Sequence, residues 1–222
     1  MYNIISLLIY YERKNVMSKQ IRGIILEGQS CSGKTSIFNA LKHSHPLEDN
    51  AERNVIYLSE HYSQTLNWVN GKLQYLNQEE NLRVLSDRIS MLEQLNNYAN
   101  SMGDHSRQSR GLFFVFERFH LNYAFSHKDT TSKEYIELQQ RLLNLNVQVV
   151  LCTISSKNVE QRLIHRATYT NEMVTQEDIR NYIENQQRFV DAANKSILPT
   201  MIINTDDINW NRYAKMILEK IR

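Results

Sequence analysis

Proline, glycine and cysteine are all scarce in this chain of 222 residues, which has two, six and two of them. So few turn-formers argue against a turn-rich all-β protein and for a helix-rich α/β one. Two cysteines make no disulfide framework. Cys31 lies in a glycine loop and Cys152 in a predicted buried strand, an arrangement that favours a reducing, cytoplasmic setting. Charge of one sign is also lacking. The 26 basic and 24 acidic residues leave +2, which points to neither a nucleic-acid nor a membrane partner. The apolar run Ile4-Ile5-Ser6-Leu7-Leu8-Ile9-Tyr10-Tyr11 is too short to span a bilayer. Its charges (Glu12, Arg13, Lys14) follow it, so it makes a poor signal peptide. Residues 1–16 read as an extension ahead of Met17: a dispensable arm or an upstream start, or equally an added edge strand or short helix. Residues 17–222 read as one domain, large enough to bury roughly 70–75% of its unfolded surface. A hydrophobic fraction of 41% with 23% charged residues excludes wholesale disorder.

Two of the six glycines stand in one motif. Gly28-Gln29-Ser30-Cys31-Ser32-Gly33-Lys34-Thr35 fits G-x-x-x-x-G-K-[ST], and Ser36 follows it. The motif is preceded by the strand-like Gly23-Ile24-Ile25-Leu26-Glu27 and followed by apolar residues at helical spacing, the context a phosphate-binding loop requires. Its N–H groups are expected to cradle a polyphosphate at a helix N-terminus. Lys34 is expected to reach the β- and γ-phosphates, and the Thr35 hydroxyl to ligate Mg²⁺. Cys31, beside Lys34, is read as a plain small loop residue, with a lowered thiol pKa as the alternative.

Five strand-like segments recur at about 22–27, 54–59, 112–117, 147–153 and 200–204, separated by helical stretches. The pattern predicts a parallel sheet covered on both faces, with ligands bound beyond the carboxyl ends of its strands. Leu82, Leu85, Ile89, Leu92 and Leu95 predict a long helix between Glu79 and Asn97. Helices are also expected over 157–167, over 176–195 with an N-cap signal at Thr175, and after Asp206-Asp207 through Arg222. Residues 100–111 read as a polar loop. The histidines, including the His43/His45 loop pair, complete no metal-ligand set and are read as solvated.

Charged residues stand directly after two of these strands: Glu60, and the pair Glu117-Arg118. They are expected to project into the crevice above the loop, with a capping acid or a surface ion pair as the alternatives. Arg162 and Arg166, four apart, share one helix face, which is either functional or merely solvated.

Four motifs in order are Leu26-Glu27-Gly28 through Ser36, Asp87-Arg88 within 84–90, Glu117-Arg118-Phe119 with Asn122-Tyr123-Ala124, and Arg162 through Arg166. With them, the chain from Gly23 onward resembles the thymidylate kinase and deoxynucleoside kinase group of P-loop phosphotransferases. The resemblance implies a P-loop NTPase fold of class α/β. Its five-stranded parallel sheet is ordered 2-3-1-4-5, flanked by helices and topped by a short lid at about 167–175. It implies that Arg88 reaches the acceptor and that Arg118 clamps it. Glu117 would hold Mg²⁺ through water, Glu60 would take the proton of an attacking hydroxyl, and Arg162 and Arg166 would fold over the donor phosphates. There are three departures: Ser30 where thymidylate kinases usually carry an acid, His61 where they usually carry proline, and Glu-Arg-Phe for Asp-Arg-Tyr. They bear on thymidylate itself rather than on kinase chemistry.

The expected function is ATP-dependent phosphoryl transfer with Mg²⁺ to a nucleoside monophosphate, thymidylate by preference, or to a deoxynucleoside. A surplus of arginines over acids favours the monophosphate. The alternatives are a kinase of a non-nucleotide small molecule and a nucleotide-gated regulatory module. The partners expected are ATP and a small-molecule acceptor, and a homodimer is compatible with the sequence.

Overall fold

The structure, a computed structural model, describes residues 21–49, 51–60, 66–101, 111–170 and 173–221. The 1–16 extension, Met17, His61, most of the 100–111 loop and lid residues 171–172 lie outside the described residues.

The strands are β1 (Ile21–Glu27), β2 (Asn54–Leu58), β3 (Leu66–Val69), β4 (Lys72–Tyr75), β5 (Leu112–Glu117), β6 (Val147–Thr153) and β7 (Thr200–Asn204). The α-helices are α1 (Lys34–Ser44), α2 (Gln78–Ser101), α3 (His120–His127), α4 (Lys133–Asn144), α5 (Ser156–Thr170), α6 (Gln176–Lys195) and α7 (Trp210–Lys220). Five strands form one parallel sheet in the order β2-β5-β1-β6-β7. Counted along the chain, that is the expected 2-3-1-4-5.

Alternation along the central strands splits the core into two layers, because successive side chains leave opposite faces of a strand. Ile25, Phe114, Phe116, Val149 and Leu151 pack under α2, α4 and α6, against Leu85, Ile89, Leu138, Leu142 and Phe189. Ile24, Leu26, Phe113, Val115 and Val150 pack against α1 and α7, through Ile37, Phe38, Leu41, Ala214 and Ile217. β2 is expected from its sequence to be buried, but it lies at the sheet edge and is half-exposed. The helix expected at 176–195 has those bounds and opens on a reciprocal capping box between Thr175 and Asp178.

Two further features differ from the sequence reading. An antiparallel hairpin, β3–β4, intervenes between β2 and α2, turning at Asn70-Gly71 with φ of 51° and 74°. Paired positive φ values are those of a two-residue hairpin turn. The second difference is the histidines. His43 lies in α1 and is exposed, but His45 is 1% exposed. It stacks on Phe113 with ring centroids 4.2 Å apart, and its Nε2 lies 2.9 Å from Glu52 Oε2. His120 is also buried. Both rings are enclosed by partners distant in sequence.

Glu52 belongs to a clasp at the amino-terminal end of the sheet. Arg22 on β1 grips both of its carboxylate oxygens and donates a third bond, 2.7 Å, to the carbonyl of Ile221 beyond α7. Burial alone would raise the Glu52 carboxyl, but the hydrogen bonds from His45 and Arg22 outweigh it and hold it at about 2. No helix among the described residues is long and apolar enough to cross a membrane.

Candidate active site

At the opposite end of the sheet, β1 runs into the glycine loop. Gly28 has φ 127°, and a Cβ there would stand 2.4 Å from the Cys152 carbonyl oxygen. Gly33 has φ 87°, and a Cβ there would stand 2.6 Å from the Trp210 ring. Only glycine suits either position, for reasons of both backbone angle and space. Gly33 is the N-cap of α1 and offers no capping side chain. The first turn of α1 also carries no acid, so its N–H groups and positive dipole end remain available to an anion. Cys31, at φ 67°, packs against the small buried cluster of Ile154, Val159 and Tyr182, in keeping with a small loop residue.

Lys34 is buried, and its ammonium donates to the carbonyl of Gln29 at 2.8 Å. Burial, assisted by the positive charge of Arg118, pushes the Lys34 pKa down to about 8. Thr35 Oγ1 donates to Glu117 Oε1 at 2.6 Å, so the two residues expected to serve Mg²⁺ meet. A hydroxyl and a carboxylate are hard oxygen donors of the kind this ion takes. Among the described residues no group of three or more His, Cys, Asp or Glu could hold a metal by itself. A divalent cation held here would complete its shell with water or polyphosphate oxygens.

Above the loop opens a cavity of about 640 Å³, of a size that takes a small-molecule ligand. Ser30, Cys31, Gly33, Lys34, Thr35 and Ser36 form its floor. Glu60 and Arg118 line one side, where Arg118 Nε donates to Glu60 Oε2 at 2.7 Å and its terminal nitrogen to Ser30 Oγ at 3.2 Å. Arg162, His165, Arg166 and Tyr169 line another side. Their spacing of three and four residues places them on one face of α5. Of the expected residues, Gly28, Gln29, Ser32 and Glu117 lie behind this lining. Arg88 does not line the cavity. It is half-buried on α2 and donates to the carbonyl of Val84 one turn away.

The end of β7 contributes what the sequence reading passed over. The Thr205 hydroxyl bonds the carbonyl of Ser32 at 2.9 Å, propping the loop from beneath. The Thr205 carbonyl accepts from Arg162, whose guanidinium also lies over the Trp210 ring, 5.5 Å from its centroid. Arg162 is thus tied to the loop after β7 rather than extended over the cavity. Asp206 accepts from the Ser155 backbone at 3.0 Å and from the Ser155 hydroxyl. The signal for these residues was their position directly after a parallel strand.

No family model matches the chain, and no curated protein matches it by sequence. Among solved structures, the YorR protein of Bacillus subtilis, in complex with phosphorylated GDP, superposes with a TM-score of 0.56. It is 14% identical, and the match covers 90% of this chain and 95% of that one. At that identity the likeness is one of fold: a P-loop α/β architecture. Two further matches are looser. Thymidylate kinase from Ehrlichia chaffeensis has 15% identity and a TM-score of 0.47, covering 91% of this chain and 98% of that one. Deoxyadenosine kinase from M. mycoides, with dCMP and dCDP bound, has 12% identity and a TM-score of 0.45, covering 90% and 98%.

Proposed function

We propose that this chain is an ATP-dependent phosphotransferase whose acceptor is a neutral hydroxyl, as in a nucleoside. The observation that carries the reading is the contact between Arg118 and Glu60 at the rim of the glycine loop. A hydroxyl must shed a proton as it attacks, and a carboxylate beside it can take that proton. The cavity lining holds four fixed cations (Lys34, Arg118, Arg162, Arg166) against two acids (Glu60, Asp206). A triphosphate donor uses that balance. With Glu60 on Arg118 and Arg88 off the lining, few cations remain for a second dianion. The arginine surplus that favours a monophosphate in the sequence is therefore not gathered on the acceptor side.

In this reading the loop amides and Lys34 hold the donor phosphates, and Thr35 and Glu117 would hold Mg²⁺. That ion, when bound, neutralises charge building on the phosphate oxygens. Arg166 stabilises the same charge from α5, while Arg162 secures Thr205 and the loop that Thr205 props. Residues 167–175 serve as the lid, and residues 17–222 as the kinase domain.

A monophosphate acceptor, thymidylate included, is the second reading. The YorR protein, solved with phosphorylated GDP, is compatible with either acceptor. The test is coupled ADP release over a panel of nucleosides, nucleoside monophosphates and an acceptor-free control. Turnover with nucleosides is expected. Turnover with monophosphates alone overturns the hydroxyl reading, and slow acceptor-independent hydrolysis overturns the kinase reading in favour of a regulatory module.

A further inference from the structure

Glu27, the last residue of β1, has no part in the chemistry described so far, yet its carboxylate is fully buried beside the glycine loop. Its Oε1 accepts from two backbone amides of the neighbouring strand's exit, Phe119 N and Leu121 N, each at 2.9 Å. Those amides open α3, whose N-cap position is occupied by Phe119, a residue with no side-chain acceptor to offer. A carboxylate at a helix N-terminus satisfies orphan donors and meets the positive end of the dipole. Here it arrives from another strand.

The segment it grips needs holding. Arg118, directly before it, sits at φ 62°, a left-handed conformation uncommon for a side chain of its size. On its other flank the Arg118 amide donates to the Leu26 carbonyl at 2.9 Å. The strained turn is thus pinned on both sides by consecutive residues of β1. We propose that Glu27 is the positioning residue of the acceptor clamp, capping α3 from β1 and so fixing the left-handed turn that aims Arg118 into the cavity. The proposal rests on the phosphotransferase reading for its functional meaning, but not for its structural test.

The surroundings exclude a simple ion pair. His120 Nδ1 lies 3.7 Å from Glu27 Oε1, but burial pushes that imidazole down to about 3, so it is neutral near pH 7. Glu27 Oε2 has no hydrogen-bond partner among the described residues. Burial raises the Glu27 carboxyl to about 7, the backbone bonds and Lys34 working against it. What the site keeps is an acceptor oxygen for two amides, which glutamine also supplies and a hydrocarbon does not.

The experiment has two arms. In the first, Glu27→Gln should keep kcat within about threefold of wild type, and Glu27→Met should lower it by about 10²-fold with little change in KM for ATP. The double variant Glu27→Met/Arg118→Ala should be no slower than Arg118→Ala alone, because the two changes remove one function. A purely structural Glu27 would instead give multiplicative losses or an unchanged kcat, and either result overturns the proposal. The second arm reads the wild-type protein by NMR hydrogen exchange, so it does not depend on the Met variant folding or on any turnover. The amides of Phe119 and Leu121 should be strongly protected, and should remain so in Glu27→Gln. Rapid exchange at both amides in wild type overturns the clamp. Protected amides in a protein without acceptor-dependent turnover would leave the clamp standing and the kinase reading fallen.

Discussion

Two arginine–glutamate pairs stand at opposite ends of the same parallel sheet. At the amino-terminal end, Arg22 grips both oxygens of Glu52, a third donor reaches the Ile221 carbonyl, and His45 closes on the same carboxylate. The Glu52 side chain is 6% exposed. At the carboxyl-terminal end, Arg118 Nε meets Glu60 Oε2 while its terminal nitrogen reaches Ser30 Oγ, and the Arg118 and Glu60 side chains are 23% and 32% exposed. The first pair is saturated and enclosed, as a buried ion pair must be if its desolvation is to be offset. The second keeps part of its donor set turned to a cavity. Residue types are the same; what separates a structural pair from one placed to meet a ligand is enclosure, the first sealed inside the protein and the second lining a cavity.

Substitutions at the two ends should therefore register on different instruments. The largest effect is expected at the cavity floor. Lys34→Met should lower turnover by at least about 10²–10³-fold while the melting temperature holds, since the loop backbone still folds without the phosphate cation. Wild-type turnover in the folded variant would remove the glycine loop from the mechanism.

Next come Arg118→Ala and Glu60→Gln, each expected to cost about 10²-fold in kcat/KM with a nucleoside acceptor, with little change in stability. Near-normal activity in Glu60→Gln beside a crippled Arg118→Ala would return the acceptor to a monophosphate.

Arg22→Ala should show the reverse pattern. It leaves the Glu52 carboxylate buried with its main partner gone, a change that costs about 3 kcal/mol in such settings, read as a fall in the denaturant midpoint. Turnover at permissive temperature should stay close to wild type.

The smallest effect is one of pH. The Glu52 carboxyl is held at about 2 against an ordinary 4.5, so its contribution is complete above about pH 4.5 and is lost as pH falls towards 2. Glu52→Gln should flatten that acid limb of the stability profile. An unchanged limb would show that the clasp does not carry the acid sensitivity.

What could be read from the sequence was whatever local pattern determines. The strand–loop–helix around residues 28–35, the five apolar segments and the Thr175 cap each carry their signal within a few neighbours, while the sheet order came from the family resemblance. The hairpin is equally local, since Asn70-Gly71 is a strong turn signal between its two short strands. The histidines were a different matter. Their burial depends on Phe113 for His45 and on Glu27 and Tyr135 around His120, contacts that no sequence window contains. Arg162 lines the cavity, but its partner, the Thr205 carbonyl, lies 43 residues away, beyond any sequence window. Side chains after strands can be nominated from sequence; which of them touch one another is decided by the crossing of distant segments.

Trp210 is one of two tryptophans in the chain, and the other, Trp68, belongs to the hairpin. The indole of Trp210 lies against Gly33 on one side and beneath the Arg162 guanidinium on the other. The protein thus carries its own optical probe at the loop. In a Trp68→Phe background, emission comes from a single fluorophore whose quenching by the cation above it depends on where α5 stands. Titration with nucleotide can then be followed by colour and intensity without any label, and stopped-flow traces of that signal would separate the arrival of the donor from the closing of the wall over it.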